Sequence, residues 1–348
     1  MRAVGIHGGR GNADALYIED NVADPVATGD HIVVRIKAFG LNRMDIMQRE
    51  DRYPYKLLPE SGPILGVEFS GLVETLGPEC KADFQVGHRV FGLAYGSAYA
   101  ERIAVSERML MHMPDDLDFE EAAGIPETFF TAIQAVHLVG DMQPGQSVLI
   151  HAGASGVGQA AIQVARQAGA SVIFATAGTD AKCQLCRQLG ADHAINYKDT
   201  STPDFAEVVA RETNGRGVDI IIDLVGQSYW HRNAASAAME GKIVIVAAMS
   251  GSVIEGFDLR QLLNKRLSLL STTLRTRDAA YQVRLRDVFV EQILPHLANK
   301  PALKENGRSL GVTVDEVFPW QRVGDAHKKM ESNTNAGKLI CVVDYGEV

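Results

Sequence analysis

The residues with the plainest chemical use lie in the run Ser147-Val-Leu-Ile-His-Ala-Gly-Ala-Ser155-Gly156-Val157-Gly158-Gln-Ala-Ala161. A short apolar run feeds a glycine-rich turn, and residues 159–169 then read as a helix ended by glycine. Gly156-x-Gly158-x-x-Ala161 at that junction is a pyrophosphate-binding pattern. The first glycine permits the tight turn, the second lets backbone approach the pyrophosphate, and the small third residue lets the helix pack on the strand. The helix N-terminus favours the anion. A strand before, a helix after and a second strand at 171–175 supply the context that separates this motif from a chance glycine cluster. The chemistry is dinucleotide binding, with Ser155, Gly156, Val157 and Gly158 at the phosphates. The Ser155 hydroxyl either reaches a phosphate or shapes the loop.

About 20 residues further on, a reader of NAD places an acid on the ribose 2′-hydroxyl. Here that zone is Phe174-Ala-Thr-Ala-Gly178-Thr179, without one. Asp180 falls in the first turn of the next helix, where the dipole favours it. Small residues followed by Lys182 suit a 2′-phosphate, so NADPH is the expected cofactor. An exposed helix lysine is the other reading of Lys182. Tyr197 either stacks near the same phosphate or packs. In a doubly wound sheet ligands sit outside the C-terminal strand ends. That places Val225, Gly226 and Met249, and then Leu274 and Arg275 after the last strand, around the cofactor.

Other chemistries find less support. No G-x-S-x-G frame exists for a hydrolase nucleophile. The ten histidines show no metal-ligand spacing. Cys183-Gln-Leu-Cys186 has no second pair and sits inside a helical segment ending at Gly190, so packing is its expected role.

The 348 residues suggest two domains, with enough chain to bury a core without disulfides or metals. A net charge of −9 argues against a broad phosphate-binding surface and so against nucleic acid. No run of about 18 apolar residues could span a membrane. No secretory pattern opens the sequence, and four cysteines suit a reducing compartment, so a cytoplasmic location is expected.

The first third alternates in the manner of half-buried strands, as in Ile32-Val-Val-Arg-Ile36. From Ser147 the pattern becomes strands alternating with helices, which implies βαβ units and a parallel sheet. The C-terminal part reads as helices at 278–299, interrupted near Pro295, and at 322–332. A strand at 338–343 could rejoin the first sheet. The expected class is α/β. The expected division is a β-rich domain over 1–125, a nucleotide-binding domain over 126–273 and a return over 274–348.

Several stretches together resemble one family. They are Leu41-Asn-Arg-Met-Asp-Ile-Met-Gln-Arg49, Leu65-Gly-Val-Glu-Phe-Ser-Gly71, His151-Ala-Gly-Ala-Ser-Gly-Val-Gly158, Leu189-Gly-Ala-Asp-His-Ala-Ile-Asn-Tyr197, Gln292-Ile-Leu-Pro-His296 and Asn335-Ala-Gly-Lys-Leu-Ile340. The chain is similar over essentially its whole length to the medium-chain dehydrogenase/reductase superfamily. Within it the resemblance is to the zinc-less quinone oxidoreductases, and most of all the stress-inducible NADPH-dependent ones. The resemblance implies a GroES-like domain, a Rossmann domain and an active site in the cleft between them. Zinc-dependent relatives carry a catalytic Cys and His where this chain has Asn42 and Val67, and their structural-zinc lobe of four cysteines is missing. Glu68 alone is too small a ligand set for zinc.

The implied reaction is NADPH-dependent reduction of quinones, by hydride or electron transfer and without a metal. Tyr53 matches the position of an active-site tyrosine in similar proteins, and as a phenol it could orient or protonate the acceptor oxygen. Tyr55 is near enough to be confused with it. The resemblance puts Asn42 at the nicotinamide ribose or the substrate, with Asp45 either holding that network or facing solvent. Thr131 matches a position near the nicotinamide, and Asn335 and Lys338 a C-terminal loop that closes on NADPH. Leu93-Ala-Tyr-Gly-Ser-Ala-Tyr99 could shape the pocket.

Two other functions remain open. One is a double-bond reductase of enones, alkenals or enoyl thioesters, although a coenzyme A carrier needs a basic groove and only Arg260, Lys265 and Arg266 cluster. The other is a weakly catalytic NADPH-binding protein. Residues 267–273 read as an apolar edge strand, and similar proteins dimerise there, so a homodimer is expected.

Overall fold

The computed structural model describes residues 1–54, 62–201, 203–297 and 310–345. Tyr55 lies outside them. Two compact units divide after Thr128 and after Leu274, and Leu310 groups with the central unit.

The central unit holds a six-stranded parallel sheet. Across it run His193–Asn196, Val172–Ala177, Ser147–Ile150, Val218–Asp223, Ala237–Ile245 and Ser268–Ser271. In chain order this is 3-2-1-4-5-6, the Rossmann arrangement, whose order reverses between Ser147–Ile150 and Val218–Asp223. Those two strands carry apolar runs because both faces are covered: all four residues of the first are buried. Leu149, Phe174, Phe205, Ile221 and Trp230 form the core of one face. The helices begin at side-chain caps. Thr179 caps Asp180–Gln188 and Asp204 caps Phe205–Glu212 by accepting an N–H of the first turn.

The other unit is β-rich. Its seven-stranded sheet runs Val314–Pro319, Lys338–Val342, His31–Gly40, Glu68–Leu76, Arg89–Leu93 and Leu110–His112, with Arg102–Ser106 also paired to His31–Gly40. All pairings are antiparallel except that of Val314–Pro319 with Lys338–Val342. Register shifts at Val33/Val34 and Ile36/Ala38 bend the long central strand, as bulges do. The fold is therefore α/β, a GroES-like β-rich domain plus a Rossmann domain.

Three elements carry local detail. Pro126–Ile133 is an α-helix that continues as a π-helical stretch, Gln134–Val139. The C-terminal helix breaks near Pro295 as expected, at Ile293, giving Ala279–Gln292 and Leu294–Leu297. The proline sits in the first turn of the second piece, where a missing N–H is tolerated. The edge strand at 267–273 is shorter, Ser268–Ser271.

Candidate active site

In the β-rich unit, three neighbouring chain segments meet at the end of His31–Gly40. Strand Lys338–Val342 pairs on one side of it, with Ile340 opposite Gly40. Strand Glu68–Leu76 pairs on the other, with Phe69 opposite Phe39. That register brings Lys338 and Glu68 together across the strand end, and the Lys338 Nζ lies 2.6 Å from Glu68 Oε1. Gly40 makes room: a Cβ there would stand 2.5 Å from the same Glu68 oxygen and 2.5 Å from the Ala123 carbonyl.

The pair is knitted into the chain that follows. Lys338 Nζ also donates to the Leu41 carbonyl at 2.6 Å and to Asn42 Oδ1 at 2.8 Å. Asn42 Nδ2 donates to Glu68 Oε1 at 2.9 Å, and the Glu127 N–H donates to Glu68 Oε2 at 2.9 Å. Both Glu68 oxygens are thus committed. Lys338 is a buried residue of the strand expected at 338–343, paired with Glu68 and bonded to Asn42. Asn335 stays on the preceding turn, donating to the Gly337 carbonyl at 2.8 Å.

A second string starts from Asn42, whose N–H donates to Asp45 Oδ2 at 2.8 Å. Tyr99 donates its hydroxyl to the same oxygen at 3.0 Å and lies 3.2 Å from His327 Nε2. His327 Nδ1 is 3.1 Å from Arg49 Nη1. Asp45 is fully buried, so it does not face solvent. Burial pushes its carboxyl up to about 6 against the pull of these donors. Burial, then the neighbouring Glu68 charge, pushes the Glu127 carboxyl up to about 8.

Arg275 donates to Gln48 Oε1 at 2.7 Å and to the Tyr95 carbonyl at 2.9 Å. Its guanidinium stands 5.4 Å from the centre of the Tyr53 ring, a cation–π contact. Arg275 is therefore held by the β-rich unit's own groups. A cavity of about 800 Å³ in this unit is lined by Leu93, Ala94, Tyr95, Gly96 and Ser97. Tyr99 is not among its lining and belongs to the buried string. The sequence reading missed Glu127, Gln48, Tyr99's hydroxyl and His327. Only the run Glu127-Thr-Phe-Phe-Thr131 drew notice, for Thr131, which is buried on its helix.

In the Rossmann unit, Ser155 caps the helix Gly156–Gln167, its Oγ accepting from the Gly158 N–H at 3.1 Å. The hydroxyl oxygen therefore shapes the loop. The first-turn N–H groups of Gly156 and Val157 have no partner within their own helix. Gly158 has an internal reason to be glycine: a Cβ there would stand 2.3 Å from the Ala152 carbonyl oxygen. Thr179 Oγ1 accepts from the Lys182 N–H at 3.2 Å. Gly178 lies against the Tyr197 ring, which is 48% exposed. Asp180 is occupied by Asn196, whose Nδ2 donates to it at 2.8 Å. Asp223 closes its strand by accepting from the Val225 and Gly226 N–H groups at 2.7 and 3.0 Å. Met249 is exposed and Leu274 buried.

Among the described residues no three His, Cys, Asp or Glu side chains gather as a metal site, and no helix is long and apolar enough to cross a membrane.

The zinc-binding dehydrogenase family matches residues 156–288, and the alcohol dehydrogenase GroES-like domain matches residues 28–115. The chain is 30% identical over 325 residues to a quinone oxidoreductase-like protein 2 of Bos taurus, covering 93% of this chain and 88% of that one. A solved NAD-dependent alcohol dehydrogenase is 30% identical with a TM-score of 0.82, covering 99% of this chain and all of that one. The quinone oxidoreductase of Escherichia coli, solved with NADPH, is 25% identical with a TM-score of 0.81, covering 98% of this chain and all of that one.

Proposed function

The chain belongs to the medium-chain dehydrogenase/reductase superfamily, and from that premise we propose that it is an NADPH-dependent quinone reductase working without zinc. The observation that carries the reading is the pairing of Lys338 with Glu68, 2.6 Å apart. It supplies a cation to the carboxylate, and with the Asn42 and Glu127 donors it engages both carboxylate oxygens. Asn42 and Val67 replace the remaining ligands that the resemblance leads one to seek. The donor set therefore does not fit zinc. Polarising an alcohol through a metal is not supported, whereas an acceptor already poor in electrons needs no such help.

The Rossmann unit fits NADPH. Gly156 and Val157 would present first-turn N–H groups to the pyrophosphate, and Gly178, Thr179, Lys182 and Tyr197 would surround a 2′-phosphate. Bound there, NADPH supplies a hydride. Tyr53 would donate its phenol to the acceptor oxygen, with the Arg275 guanidinium fixing the ring. Asn42, held by Glu68 and Lys338, would orient ligand groups beside it. The cavity lined by Leu93 to Ser97 is of a size for a small organic acceptor.

A coenzyme A thioester is less favoured. Arg260 is paired with Asp258, Arg266 with Glu240, and Lys265 donates to the carbonyls of Ala234, Ala235 and Ala237. The basic groove that such a carrier needs is thus already engaged.

The test follows pyridine-nucleotide absorbance with an ortho-quinone, NADPH and NADH side by side, before and after a chelator. Faster oxidation of NADPH, unchanged by the chelator, supports the reading. Loss of activity to the chelator, or turnover only with an enone, overturns it.

A further inference from the structure

Beneath the glycine turn of the Rossmann unit, four side chains form a string that no step above uses. His151 Nε2 lies 2.7 Å from Asn233 Oδ1, and Asn233 Nδ2 donates to Asp223 Oδ2 at 3.0 Å. On its other side His151 Nδ1 is 3.0 Å from Thr176 Oγ1. His151, Thr176 and Asn233 are fully buried and Asp223 is 1% exposed. The directions of these bonds are forced. A carboxylate only accepts, so Asn233 turns its NH2 to Asp223 and its carbonyl to His151. The imidazole then carries its proton on Nε2, and Nδ1 accepts from the Thr176 hydroxyl. Burial holds the ring neutral, pushed down to about 4, and Phe205 and Tyr229 flank it at 4.9 and 4.7 Å between centres.

The string ties together three adjacent strand ends. His151 follows Ser147–Ile150 and opens the glycine turn. Thr176 lies near the end of Val172–Ala177, just before Gly178 and Thr179, and its carbonyl accepts the Gly153 N–H at 2.8 Å. Asp223 ends its own strand and holds the Val225 and Gly226 N–H groups with its second carboxylate oxygen. Each strand end leads into one of the turns assigned to the cofactor.

We propose that Thr176, His151, Asn233 and Asp223 are positioning residues, a buried relay that sets the three cofactor turns relative to one another before NADPH arrives. The inference rests on the reading of this unit as an NADPH site. A fully satisfied buried network is rigid, and a site already in its bound arrangement loses less freedom on binding.

The experiment titrates NADPH into the full chain by fluorescence and follows amide exchange in the unliganded chain. His151→Phe keeps the ring and its aromatic neighbours but removes both hydrogen bonds. It should raise the NADPH Kd about tenfold or more, since it strands the Asn233 carbonyl. It should also speed exchange in residues 152–158 and 224–227 together, and leave kcat at saturating NADPH within about twofold. His151→Gln, which keeps a donor and an acceptor, should recover most of the affinity. Should His151→Phe fail to fold, Thr176→Val, nearly the same shape, decides the matter with a smaller rise of about threefold. Wild-type binding with unchanged Kd and exchange in the variants overturns the relay alone. A wild-type chain that binds no NADPH overturns the cofactor reading and the relay's purpose with it.

Discussion

Lys338 and Glu68 form an ion pair from which water is nearly excluded, their side chains 4% and 0% exposed. Such a pair contributes little net stability over an apolar pair of the same shape, yet removing one partner is costly because the other charge stays buried. Lys338→Met should lower stability by about 3–5 kcal/mol in urea unfolding. The double variant Glu68→Leu/Lys338→Leu should recover a large part of that loss. A single variant within 1 kcal/mol of wild type would mean that the pair does not share a buried environment.

Between about pH 6.5 and 8, above the range in which the buried His151 and His327 act in the opposite sense, stability should fall as pH rises. In the folded chain the Glu127 carboxyl is pushed up to about 8 and that of Asp45 to about 6, both above their ordinary values. Between the ordinary and the raised values the folded state holds protons that the unfolded chain releases, so each rise in pH favours unfolding. One such group gives a slope of up to about 1.4 kcal/mol per pH unit. Glu127→Gln should flatten the profile between pH 6 and 8, as read from urea midpoints at each pH. An unchanged slope in that variant would remove Glu127 from the account.

Cofactor choice should depend on one cation. Lys182→Ala is expected to raise the KM for NADPH about tenfold and leave that for NADH unchanged, because only the former carries a 2′-phosphate. Equal losses with both cofactors would return Lys182 to the role of an ordinary helix lysine.

Tyr53→Phe isolates the phenol. Removing a donor from a developing oxyanion costs about 100- to 1,000-fold in kcat, and the cation–π contact with Arg275 survives the change. The KM for NADPH should stay put. Full activity in Tyr53→Phe would pass the donor role to another group.

The strand Ser268–Ser271 ends the sheet among the described residues and exposes the apolar Leu269 at 44%. We expect a dimer by light scattering at micromolar concentration and a monomer for Leu269→Lys, since charge on an edge opposes strand pairing. A wild-type monomer would rule this edge out as an interface.

The Rossmann half was legible because its signals are local. An apolar run, a glycine turn, Ser155 at the cap and a glycine-ended helix lie within one window of sequence. Even there, the motif did not reveal that Gly158 is crowded by the Ala152 carbonyl of its own chain. The β-rich half was legible as strands but not as a site. Lys338 meets Asn42 across 296 residues, and Tyr99 meets His327 across 228. Those meetings depend on the register of paired strands and the seating of the last helix, which no periodicity encodes. Lys338 read as the start of a strand, but nothing nearby in the sequence marks the carboxylate that it serves. Arg49 and His327 likewise gave no signal, since a lone arginine and a lone histidine on helices look like surface groups.

The pairing of Lys338 with Glu68 also sets an order of events during synthesis. The Rossmann strands all lie within residues 147–271, so that sheet can close while later codons are still being read. The β-rich sheet cannot do the same. Glu68, Asn42 and the Leu41 carbonyl are made early and must wait until residue 338 leaves the ribosome before their cation arrives. Until then the Glu68 carboxylate stands without its counter-charge, so the Rossmann sheet can be complete before the β-rich sheet is.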